Sequence, residues 1–340
     1  MRVVSQYVVT NNDAGPKAKT DIEEILRKSY NAKIFTNKVR NNEENNVKSK
    51  IKKFIFSTLS LKSEEMTIIQ IPFSNKIKIL NMAKNKIGLI HDIDGLRYNN
   101  EKLLKEEINA LNQYQGIIVH NDAMEKVLKD NGLTTKTEKI ELFDYLVDDN
   151  FFIKERKFNK NDIKIAYPGN LEPNKASFLY NLDENRMNFR LSIYGNYLEK
   201  DKLKNNKIVY KGSFPPNVII ERLEEDLGLV WSGKIDESDI ENGEKGYTRF
   251  NTPHKLSCFL VAGIPVIVWK KSAASKIVKK YNIGYEINNI YEINNIDFND
   301  YEEKRKNAIE LSKKYSDEKV AKMINGVLDK IYHEVEDKSE

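Results

Sequence analysis

The sequence has one cysteine, Cys258, in 340 residues. A lone thiol excludes an internal disulfide and a multi-cysteine metal site, and it fits a reducing cytoplasm. No apolar run reaches membrane-spanning length. The N-terminal MRVVSQYVVT lacks a secretory h-region and enters a strand-like run at once. A large excess of one charge sign is missing too. Lys and Arg number 56 against 51 Asp and Glu, a net charge of +5, and the two signs are interspersed nearly everywhere. A nucleic-acid binder would show a clustered basic face, so no nucleic-acid partner is expected. Internal repeats and long low-complexity tracts are also absent.

What is present is a globular balance, 40% hydrophobic and 31% charged, long enough for two domains. Short β-branched runs alternate with amphipathic segments, the pattern of parallel α/β sheets. Strands are expected at RVVSQYVVT, at 67–73, 86–93 and 116–121, and at KIELFDYL (139–146). A second series follows at 163–170, 189–196, 207–214, 226–233, 265–269 and 283–287. The stretch 147–162 is charged and irregular and reads as a linker. The expected plan is two doubly wound Rossmann-like domains facing a cleft, residues 1–150 and 163–315. After Ser316, Val320, Met323, Ile324, Val327, Leu328 and Ile331 form one apolar stripe. That helix, 316–340, is expected to cross back to the first domain.

Such sheets bind ligands outside the carboxyl ends of their strands. Three expected strand ends carry glycine pairs, YPGN, IYGN and YKGS, where backbone N–H groups can approach a phosphate. In YTRFNTPHKLSCFLVAGIPVIV (247–268), Thr252-Pro253 opens a helix, since proline suits the first helical position. His254, Lys255 and Ser257 then lie in the first turn, at the positive end of the helix dipole. The stretch suits a diphosphate. An ordinary buried helix–strand unit with a solvated lysine fits the same letters.

IHDIDGLRY (90–98) ends a strand of the first half. His91, Asp92 and Asp94 are candidate general bases for a hydroxyl proton, with Asp92 first because a carboxylate stays ionised at neutral pH. A strand end whose Asp residues cap the next turn is the competing reading. Gly15-Pro16, in NNDAGPKAK, either brings backbone to a ligand or makes a plain turn. VKSKIKKFIFSTLSL (47–61) reads as a core-packed helix, with peripheral contact to an anionic membrane as the alternative. His120 reads as structural and His333 as solvated.

At the 247–268 block, taken with LGLVWSG and HDIDGLR, the chain resembles a known family over nearly its whole length. It looks like the GT-B-fold sugar transferases often described as β-1,6-galactofuranosyltransferases. That group includes the glucosyltransferases that extend O-linked GlcNAc on serine-rich repeat adhesins. The resemblance implies a UDP-hexose donor as co-substrate, held by the C-terminal half, a glycan or glycoprotein acceptor on the N-terminal half, and no metal or other cofactor. Carried over by position, Lys255 would touch the diphosphate. Gly169, Asn170, Lys175 and Tyr210 would line the donor pocket, and Lys211, Arg249, Asn251, His254 and Ser257 are the further donor-binding candidates. From the residues themselves, Gly15 and Arg97 are the candidates for the acceptor side. Retaining GT-B families place a Glu pair before the Gly-x-Pro. Phe250 and Cys258 stand roughly there, so inversion is expected. A homo-oligomer, dimer or tetramer, is the expected assembly. Galactofuranosyl transfer and a non-catalytic nucleotide-sugar-binding partner are the alternatives in function.

Overall fold

In a computed structural model the described residues are 1–8, 15–39, 65–72, 85–148, 150–236, 243–316 and 330. They fall into two units, one up to Asp144 and one from Tyr145 onward, with Lys330 belonging to the first. Each unit carries one six-stranded sheet in which every pairing is parallel.

The first unit runs β1 (Arg2–Val8), α1 (Lys17–Tyr30), β2 (Lys33–Val39), β3 (Thr67–Ile71), β4 (Lys86–Ile90), α2 (Asp94–Arg97), α3 (Glu101–Leu111), β5 (Gly116–Val119), α4 (Asp122–Asp130) and β6 (Thr137–Lys139). Its strand order is β2-β1-β3-β4-β5-β6. All residues of β4 and β5 are buried, as parallel strands covered on both faces require. Ile22 and Leu26 of α1 lie in the same core as Val3, Ile68 and Ile87. Asn100 and Asn121 start α3 and α4 with side chains that accept from Leu103 N–H and from Ala123 and Met124 N–H.

The second unit runs β7 (Ile163–Pro168), α5 (Ser177–Asn181), β8 (Phe189–Tyr194), β9 (Ile208–Gly212), α6 (Pro216–Arg222), β10 (Leu227–Val230), α7 (His254–Val261), β11 (Val266–Trp269), α8 (Ala273–Tyr281), β12 (Gly284–Ile287) and α9 (Tyr301–Ser316). The order β9-β8-β7-β10-β11-β12 is the dinucleotide-binding order, with its switch point between β7 and β10. In the first unit the order reverses between β1 and β3.

Four expectations need correction. The strand expected at 139–146 lies at Thr137–Lys139 instead. Residues Ile140, Leu142, Phe143 and Tyr145 are apolar because they are buried, and Glu141, at φ 57°, breaks the extended backbone. Strand β2 escapes a reading for apolar runs because KIFTNKV is half polar and sits at the sheet edge. The linker is no free linker, and the boundary falls at 144/145. Arg156 donates to the carbonyls of Lys154, Leu223, Glu225 and Ala262 at 3.0–3.2 Å. Leu223 and Ala262 cap the C-termini of α6 and α7, where orphan carbonyls favour a cation. Phe158 stacks on Tyr301 at 4.1 Å. Finally, Pro253 is the N-cap of α7 and not its first helical residue.

Residues 47–61 and His333 lie outside the described residues. So does the whole apolar stripe beyond Ser316; in that stretch Lys330 alone is described, and it pairs with Glu138 at 3.7 Å.

Candidate functional site

In the second unit the site grows from the packing of α7. Gly228 of β10 lies under the Phe259 ring, and a Cβ there would meet Cγ of Phe259 at 2.4 Å. Only glycine lets the helix down onto the strand. That contact places the first turn of α7 at the carboxyl ends of β7 and β10. Lys255, the second residue of the helix, holds its Nζ 4.3 Å from the centre of the Tyr167 ring. It donates one long hydrogen bond, 3.4 Å, to Trp231 O. Burial lowers its pKa to about 8, and Cys258 opposes that shift. No carboxylate of the described residues pairs with this ammonium.

Gly169 follows β7 directly. A Cβ on it would sit 3.2 Å from Lys255 Nζ, so the ammonium ends beside the bare backbone of the YPGN turn. The three glycine pairs form a ladder. Gly169 N–H donates to Tyr194 O and Gly195 N–H to Gly212 O, both at 2.9 Å. Gly195 has φ +141°, and a Cβ there would strike Gly169 O at 1.8 Å. The loop carrying Lys175 is tied to the end of β10, because Gly233 N–H donates to Lys175 O at 2.9 Å.

The other expected donor residues are scattered around this core. His254 stacks on Tyr145 at 4.9 Å. The Arg249 guanidinium lies 5.2 Å over the Trp269 ring. Asn251 keeps a buried Oδ1 with no hydrogen-bond partner among the described residues. Asn170 accepts Glu172 N–H at 2.8 Å and so serves its own turn. Tyr210 donates to Gly195 O at 3.0 Å, which braces the ladder. Lys211, its exposed neighbour on edge strand β9, points to the opposite face by strand alternation. Ser257 is buried in the helix.

In the first unit, α1 sends Lys19 to the carboxyl ends of β1 and β3. Its Nζ donates to Gln6 O at 2.8 Å, Pro72 O at 3.0 Å and Gln70 O at 3.5 Å. Burial lowers its pKa to about 8, opposed by the charges of Asp92, Glu23 and Asp94. His91 leaves β4 with its N–H on Ile71 O at 2.7 Å. Its ring stacks on Phe143 at 4.7 Å, and Nε2 lies 2.7 Å from Gln70 Oε1. Asp92 is paired with Arg97. Asp94 N–H and Gly95 N–H donate to Glu107 at 3.0 and 2.8 Å, so the start of α2 is already occupied by a carboxylate. Burial raises the pKa of Glu107. His120 is buried, placed 3.1 Å from Ile90 O, and held near 4 by desolvation. Gly15 sits in the turn before α1.

The structure thus gathers Gly169 and Lys255 at one switch point, and His91, Asp92, Asp94 and Arg97 near the other, while Lys175 is tied to the end of β10 through its main-chain carbonyl, which accepts from Gly233 N–H. Sequence reasoning missed Tyr167, Trp231, Lys19, Gln70 and Glu107. Gln70 carried a readable signal, a polar residue inside an otherwise apolar central strand. Among the described residues, no group of three or more His, Cys, Asp or Glu side chains is arranged to hold a metal ion.

Residues 1–141 match the N-terminal domain model of the glucosyltransferase 3-like family, and residues 165–324 match its C-terminal domain model. The chain belongs to the glucosyltransferase 3-like family. It is 29% identical over 299 residues, 84% of each chain, to the β-1,6-galactofuranosyltransferase WbbI of Escherichia coli K12. It is 27% identical to glucosyltransferase 3 of Streptococcus gordonii, over 72% of this chain and 69% of that one. The crystal structure of Anabaena Alr3699/HepE in complex with UDP and glucose superposes with a TM-score of 0.65 at 13% identity. That match covers 97% of this chain and 100% of the other. The fold is that of the GT-B glycosyltransferases, and the family is one of glycosyltransferases. No helix among the described residues is long and apolar enough to cross a membrane.

Proposed function

We propose that the chain transfers a hexose from a UDP-sugar, UDP-glucose first and UDP-GlcNAc second, to a glycan such as GlcNAc on a serine-rich repeat adhesin. One observation carries the reading. The Lys255 ammonium is desolvated, has no carboxylate partner among the described residues, and ends beside Gly169 at the β7/β10 switch point. A buried cation of this kind gains most when a diphosphate replaces the water it has lost. As the sugar leaves, charge grows on the diphosphate, and a fixed ammonium stabilises that charge. The names of the streptococcal relative and of the UDP-and-glucose-bound neighbour support the donor class.

In this reading His91 takes the acceptor proton and Asp92 stands behind it. Asp92, the first choice on sequence grounds, spends its charge on Arg97. His91 is held by its backbone, by Phe143 and by Gln70. The oxygen pair freed at the acceptor attacks the anomeric carbon, the bond to the diphosphate breaks, and the centre inverts. Basic and N–H groups meet the diphosphate in place of a metal, so turnover should survive EDTA. We place the reaction in the cytoplasm, in keeping with a chain whose one thiol, Cys258, is buried and forms no disulfide.

The test is a thermal-shift screen of UDP-glucose, UDP-GlcNAc and UDP-galactofuranose, followed by mass spectrometry of acceptor products. A donor at a hundred times its Kd adds about 2.7 kcal/mol of stability. Galactofuranosyl transfer is the second reading, on the strength of the E. coli relative. Selective stabilisation and turnover by UDP-galactofuranose would establish it. Loss of turnover in EDTA with recovery in manganese would overturn the metal-free reading.

A further inference from the structure

We propose that Gln70 is a positioning residue for His91, fixing the proton on Nε2 and leaving Nδ1 as the basic nitrogen. The inference rests on the reading of His91 as the acceptor base. Gln70 lies in β3 and is fully buried, 0% exposed. Its amide nitrogen donates to Lys19 O at 3.0 Å and to Ser5 Oγ at 2.7 Å. Lys19 O is a main-chain carbonyl and can only accept. The opposite rotation of the amide would set two acceptors against each other at 3.0 Å in a buried place, at the cost of an unsatisfied polar group. The amide nitrogen therefore faces Lys19, and Oε1 faces His91.

An amide oxygen can only accept, so His91 Nε2, 2.7 Å away, must donate. In the neutral ring the lone pair then belongs to Nδ1. Phe143, stacked at 4.7 Å and 17°, fixes the plane of the ring. The His91 N–H bond to Ile71 O fixes its root. Tautomer, plane and backbone are all set before any substrate arrives, as a general base needs. In the step itself the acceptor O–H bond breaks and an Nδ1–H bond forms. The oxygen pair makes the bond to the anomeric carbon, and the carbon–oxygen pair leaves with UDP. Gln70 Oε1 keeps its hydrogen bond to the imidazolium throughout.

The test is long-range proton–nitrogen NMR of the uniformly ¹⁵N-labelled full chain, whose four histidines are few enough to assign with a His91→Gln variant. The expected result is a protonated Nε2 and a lone-pair Nδ1 on neutral His91. In Gln70→Met the two tautomers should mix. Turnover of UDP-glucose onto a GlcNAc-bearing peptide should fall at least about tenfold, with UDP affinity unchanged. A proton on Nδ1 in the unmutated protein overturns the proposal, and that measurement needs no variant to fold. So does a folded Gln70→Met with unaltered tautomer and turnover. Full turnover in His91→Gln instead overturns the base reading, and the positioning role with it, even where the tautomer is as inferred.

Discussion

Lys19 and Lys255 occupy matching places, one at the switch point of each sheet, and burial lowers both to a pKa of about 8. Their surroundings part from there. Lys19 is saturated by three main-chain carbonyls and balanced by Asp92, Glu23 and Asp94. Among the described residues, Lys255 has one 3.4 Å bond and the face of Tyr167. The first lysine staples two diverging strands. The second retains binding capacity that an anion can use. A shifted pKa therefore does not distinguish a structural lysine from a binding one; the count of fixed acceptors does.

The largest effect should come from removing the staple. Lys19→Met takes the ammonium from Gln6 O and Pro72 O, both part-buried, and each lost hydrogen bond to a charged donor costs about 1.5–3 kcal/mol. Chemical denaturation of the full chain should show a loss of about 3–5 kcal/mol in the first unit. A loss under about 1 kcal/mol would erase the distinction between the lysines.

Lys255→Met should do the reverse. Stability should hold or rise, since a desolvated charge is removed. UDP binding, read by calorimetry, should weaken by about 2 kcal/mol, roughly thirtyfold. A well-folded variant with native UDP affinity would sink the donor-site assignment.

Titration should pull binding and stability apart. Above pH about 8 the free Lys255 is neutral and must take up a proton to meet the diphosphate. UDP affinity should then fall about tenfold per pH unit just above that point, and Lys255→Met should lose this dependence. Both lysines release their protons near 8 in the folded chain, against an ordinary lysine value of 10.5. Between those limits the unfolded chain binds more protons, so their contribution to stability rises with pH while UDP affinity falls. Parallel curves would contradict this.

The smallest change is Gly169→Ala. Its Cβ, 3.2 Å from Nζ, should displace the ammonium and cost about 1 kcal/mol of UDP binding with the fold intact. Gly195→Ala, whose Cβ strikes Gly169 O at 1.8 Å, should damage the fold itself. Equal behaviour of the two variants would show that Gly169 serves the ladder alone.

Parts of this were legible in the letters. The Pro-His-Lys triplet before an apolar run announced a helix N-terminus, and Lys255 lies in its first turn. The pairs YPGN, IYGN and YKGS announced tight strand ends, and they form one ladder. Strand β2 was not legible, because an edge strand needs no apolar run. Nor was the strap at 145–162, whose Arg156 works through carbonyls that carry no sequence signature.

Sequence alone determined the α/β alternation, the two halves and the strand ends that bear chemistry, because periodicity and glycine placement are local properties of the chain. The tertiary structure decided which charged groups are already spent. Asp92 meets Arg97, Glu107 fills the start of α2, Lys19 is saturated, and Lys255 is left desolvated beside Gly169. Those outcomes turn on burial and on partners brought from distant segments, and desolvation is a property of the packed surroundings that no short stretch of letters contains.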